Sequence, residues 1–91
     1  MVTVRIVMAD CAHPSPESAR ARDHARMAAA RFGDQVEVVE VPLADPAIVA
    51  LGVGLEPTVL VGDLAVSVGT APPAGHLLRA IEAALAKEAQ R

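Results

Sequence analysis

Apolar and polar residues alternate from Val2 to Met8, with Val2, Val4, Ile6 and Met8 on one side, and the β-branched content makes the run a strand. Val7 adds an apolar residue to the other side, which predicts a strand inside its sheet. The period then changes. Between Pro16 and about Phe32, residues Ala21, Ala25, Ala28 and Phe32 recur at helical spacing, while Arg20, Arg22, Asp23, Arg26 and Arg31 fall mostly off that stripe. Ser15 is expected to cap this helix, with Pro16 at its first position, Glu17 beside the positive end of its dipole and Gly33 as its stop. A stripe of alanines lets a helix approach a sheet closely.

The pattern continues with a second strand, Gln35 to Val41, ended by Pro42, and a short helix from Asp45 to Leu51, closed by Gly52. Thr58 to Val61 and Leu64 to Val68 flank Gly62-Asp63 and read as a hairpin, since Gly62 supplies the positive φ of a two-residue turn. Leu64, Val66 and Val68 alternate with Ala65 and Ser67, which predicts one buried face. A last helix is expected from about Ala74 to Ala89, with the stripe Leu77, Leu78, Ile81, Ala84 and Leu85. The order is β-α-β-α-β-β-α. A strand–helix–strand unit gives a parallel pair with a right-handed crossover, and the hairpin adds antiparallel strands, so the fold class is α/β with a mixed sheet. Residues 1–91 show no linker or repeat and read as a single domain.

Composition narrows the picture. Of the 91 residues, 53% are hydrophobic, yet Phe32 is the only aromatic, so the core must come from small, closely packed side chains. Eight basic and eleven acidic residues give a net charge of −3, with no basic cluster and no aromatic platform, which argues against nucleic acid. Asp10 comes too early for a signal peptide, and the longest apolar run, Val49 to Leu55, contains glycines and is far short of a membrane span. Cys11 is the only cysteine, which excludes an internal disulfide and, with the rest, sets the expectation of a cytoplasmic protein without membrane contact. No phosphate-binding glycine loop and no serine-hydrolase motif occurs, and no cofactor is expected.

The element order, the thiol at the first strand-to-helix junction, the segment Gly52-Val-Gly-Leu-Glu-Pro-Thr-Val-Leu-Val-Gly62 and Gly69 after the fourth strand together resemble the small thioredoxin-like and glutaredoxin-like proteins over essentially the whole chain. The resemblance implies a four-stranded sheet of order 2-1-3-4. It also implies that Cys11 occupies the place of the attacking cysteine and that Pro57 is a cis proline whose loop faces the thiol. Dithiol members carry Cys-x-x-Cys, whereas this chain has Cys11-Ala12-His13-Pro14, so Pro14 removes the resolving thiol. Glu56, next to Pro57, would repel the carboxylates of glutathione, which sets the chain apart from the glutaredoxins.

Cys11 and His13 are thus the candidate catalytic groups, and the resemblance implies that Pro57, Glu56 and Pro14 line a substrate loop. A thiolate needs a lowered pKa and access; His13 is placed to lower it, whereas Asp10 raises it. The leading expectation is a monothiol protein acting through Cys11 in thiol–disulfide exchange or adduct formation with a protein or small-molecule thiol or disulfide partner. An external thiol would have to release any mixed disulfide, so general disulfide reductase turnover is not expected, and whether the chain is an enzyme stays open. The rival is a non-redox module that holds a partner at the Pro57 cleft or at an open strand edge. A metal carrier built on Asp10, Cys11 and His13 is the weaker alternative. A homodimer through an edge strand or a Cys11–Cys11 disulfide is compatible with the residues, which give no reason to choose it.

Overall fold

The computed structural model describes residues 1–90. Four strands and three α-helices follow in the expected order: β1 (Val2–Met8), α1 (Pro16–Ala29), β2 (Val36–Pro42), α2 (Pro46–Ala50), β3 (Thr58–Val61), β4 (Leu64–Val68) and α3 (Ala74–Ala89). They form one mixed sheet of order β2-β1-β3-β4, the order that the resemblance implies. β1 runs parallel to β2, with Val2 opposite Val36 and Val7 opposite Val41, and antiparallel to β3, with Val7 opposite Thr58.

The double-sided apolar pattern of β1 has the expected cause. Val2, Val4, Ile6 and Met8 join Ala21, Ala25 and Ala28 of α1, Val59 and Val61 of β3, and Leu77 and Ile81 of α3 in the main core. On the other face Val7, Leu60 and Ile48 form a smaller cluster, with Ile48 supplied by α2. The alanine stripe of α1 is fully buried, so this helix does lie close to the sheet. With side chains this small, each contact removes little area from water, and tight packing has to make up the difference.

Two elements differ from the sequence reading. α1 ends at Ala29 rather than near Phe32, and the chain tightens into a 3-10 stretch over Ala30–Gln35. Gly33, at φ 57° and ψ −130°, makes the break inside that stretch. The second difference is β4, which does not bury one face. Val61 pairs with Leu64 and Leu60 with Ala65, but Val59 pairs with Ser67 and Thr58 with Val68, so β4 carries one extra residue, a β-bulge. Leu64 then shares a face with Val61, and Val68 shares the opposite face with Thr58. Both are exposed, at 65% and 53%, and Val66 is the β4 side chain packed against the main core.

Among the described residues, no helix is long and apolar enough to cross a membrane.

Candidate functional site

Three loops meet at one end of the sheet, where β1 finishes and β3 begins. The first, Asp10 to Ser15, leaves β1 and enters α1. Ser15 is extended, at φ −63° and ψ 161°, and its Oγ accepts from Ser18 N–H, which is the N-cap expected from its place before Pro16. The second loop ends in Glu56 and Pro57, whose peptide bond is cis, and leads into β3. The third, Gly69 to Pro73, follows β4; Gly69 N–H donates to the Pro57 carbonyl at 2.8 Å.

Side chains of α1 tie these loops together. Ser15 Oγ donates to Ser18 Oγ at 3.0 Å, and Ser18 Oγ donates to Glu56 Oε1 at 2.7 Å, so the Pro57 loop is held by the first turn of the helix. Ser18 is fully buried. One residue earlier, Glu17 Oε2 accepts from Ala71 N–H at 3.1 Å and from Thr70 Oγ1 at 3.2 Å. The Ala71 N–H bond, followed by Thr70 and the nearby Arg20 and His24, holds the Glu17 carboxyl below the usual carboxylate range. Two turns along, His24 Nδ1 lies 2.8 Å from the Pro72 carbonyl, which fixes Nδ1 as the protonated nitrogen. His24 is therefore a half-buried structural contact.

The five candidate residues fall into place unevenly. Cys11 is a free thiol, half-buried and packed against the edge of the main core. Burial pushes its pKa up, and the carboxylates of Glu40 and Asp10 push in the same direction. His13 does not turn to the thiol: its Nδ1 lies 3.3 Å from Asp10 Oδ2, and its side chain is 87% exposed. Asp10 Oδ1 also accepts from the backbone N–H groups of Ala12 and His13, so the loop closes around the carboxylate. Pro14 is half-buried. Pro57 is buried, so its ring fills space beneath the loop and its neighbours form the surface. Glu56 is half-buried with one carboxylate oxygen already engaged by Ser18.

Chemically, this end of the molecule has a thiol whose pKa its buried, acidic surroundings push up, and well-satisfied loop contacts. Among the described residues, no cluster of three or more His, Cys, Asp or Glu side chains is placed to hold a metal ion, which takes support from the Asp10–Cys11–His13 carrier. Sequence reasoning missed Ser18, Glu17 and His24 as loop fasteners. The one local signal was the Ser15-x-x-Ser18 spacing; the partners of Glu17 and His24 lie about fifty positions away along the chain. Comparison with protein-family models, curated proteins and solved structures finds no match to this chain.

Proposed function

We propose that this protein is a thioredoxin-like binding module that works without redox chemistry. The observation that carries the reading is the setting of Cys11: the thiol is half-buried against the edge of the core while His13 turns to Asp10, and burial, Glu40 and Asp10 push its pKa up. A nucleophilic cysteine needs the reverse: a nearby cation, a helix N-terminus or a metal that stabilises the thiolate. His13, the residue placed to supply that charge, faces Asp10. Pro14 stands where a resolving thiol would be. The thioredoxin-like assignment itself draws support from the element order and from the sheet order β2-β1-β3-β4.

The second reading, a monothiol protein acting through Cys11 on a disulfide or electrophile, has one observation in its favour. The thiol is partly exposed in the loop between β1 and α1, so a small reagent reaches it. Thiol–disulfide exchange with oxidised glutathione at pH 7 separates the two. On the binding-module reading, Cys11 forms the mixed disulfide no faster than a free thiol of ordinary pKa. A rate about ten or more times faster would overturn that reading in favour of the monothiol.

A further inference from the structure

We infer that the free edge of β4 takes up an extended peptide segment of another protein, apolar at alternate positions and ending in an acidic residue, as a fifth strand of the sheet. The inference rests on the binding-module reading and places its docking surface away from Cys11. The sheet has two outer strands, β2 and β4. They are not equivalent. The β2 edge carries Glu37, Glu40 and Pro42, the charges and missing N–H that deter strand addition. The β4 edge, Leu64-Ala-Val-Ser-Val68, has no charge and no proline, and it exposes Leu64 and Val68. Unpaired backbone N–H and C=O groups along such an edge are matched in kind only by another strand.

Next to this edge lies a groove of about 460 Å³ between the hairpin and α3, lined among others by Leu64, Ala80, Ala83 and Lys87. An added strand points alternate side chains to one face, so one of its apolar residues can enter the groove. The charges give the polarity. Asp63, also on the rim, is already paired with Arg5 at 2.7 Å, whereas no acidic side chain of the described residues lies within 4 Å of Lys87. A carboxylate on the partner complements Lys87. The bulge argues against a second copy of β4 as the occupant. An antiparallel two-fold pairing about Val66 sets Leu64 opposite Val68 of the other copy, yet these residues lie on opposite faces of the sheet.

The probe is the acetylated, amidated peptide Thr-Val-Thr-Val-Thr-Leu-Thr-Asp, whose Leu and Asp share one face of an extended strand, added to the isotope-labelled full chain and followed by amide chemical shifts. Antiparallel addition brings its Leu-Thr-Asp end beside Leu64 and Lys87, with Leu and Asp on the groove side. The expected shifts centre on residues 64–68 and 80–87. Lys87→Glu weakens binding about fivefold or more, Val68→Lys weakens it as well, and both substitutions lie on the surface. The same peptide with alternate amides N-methylated leaves the spectrum unchanged. Absence of shifts up to about 1 mM peptide overturns the proposal, as does equal binding of the N-methylated peptide. So does growth of the protein's mass with concentration through this edge, which would make a second copy the occupant. Shifts confined to residues 55–58 overturn the edge site while leaving the binding-module reading standing; fast exchange at Cys11 overturns that reading on its own.

Discussion

Ser18→Ala tests whether the helix start holds the Pro57 loop. The fully buried Ser18 Oγ donates to the Glu56 carboxylate at 2.7 Å and accepts from Ser15 Oγ at 3.0 Å. A hydrogen bond to a charged acceptor contributes about 1.5–3 kcal/mol net. Glu56 is only half-buried, and water recovers part of that, so the expected loss is about 1–2 kcal/mol. For a chain of this size each kcal/mol moves Tm by about 4–8 °C, and thermal unfolding followed by far-UV circular dichroism should fall by about 5–15 °C. The N-cap bond from Ser18 N–H to Ser15 Oγ survives the substitution, so helix content is expected to stay constant. Glu56→Ala and the double variant complete a cycle whose coupling energy should be about 1 kcal/mol. A Tm within about 2 °C of the parent, or additivity of the two substitutions within about 0.3 kcal/mol, would refute the tether.

The other perturbations probe the core and the third loop. Ile81→Ala, at a fully buried position of α3, is expected to cost about 2–5 kcal/mol in urea unfolding, whereas Met27→Ala, 63% exposed on α1, should stay within about 0.5 kcal/mol of the parent. Ala25→Leu should lose about 1–3 kcal/mol despite its added apolar surface, because α1 lies too close to the sheet to admit it; a stabilised variant would contradict the packing described above. Glu17 has a depressed carboxyl pKa in the folded chain, so its contribution is present above the unfolded Glu value of about 4.3 and is lost as pH falls through the lower folded value. Melting curves from pH 7 to pH 3 should therefore fall less steeply below about pH 4 in Glu17→Gln than in the parent, and identical profiles would count against the Glu17–Ala71 bond.

What could be read from the sequence was what is encoded locally. Ser15-Pro16, Asp45-Pro46 and Gly62-Asp63 each set a boundary through the conformation of one or two residues, and the strands and helices beside them lie where the periodicity puts them. The apolar faces of β1 and α3 were legible for the same reason: their patterns run unbroken. β4 was misread because a bulge belongs to the pairing of two strands and leaves the alternation of Leu64, Val66 and Val68 intact in the sequence. The site was legible in part. The resemblance singled out Cys11 and Pro57, but the direction in which His13 turns depends on Asp10 closing the loop, and the raised thiol pKa depends on burial and on Glu40 of the adjacent strand β2. The contacts of Ser18, Glu17 and His24 join loops that come together only after the sheet has formed.

The central claim, that Cys11 is kept as a thiol and not activated as a thiolate, is tested most directly by the rate of iodoacetamide alkylation of Cys11 as a function of pH. The thiol pKa is raised by burial first, then by Glu40 and Asp10. The account predicts a midpoint above the ordinary thiol value of about 8.5, moving downward when Glu40 is replaced by Gln. A midpoint below about 7.5 would contradict it and make Cys11 an activated nucleophile.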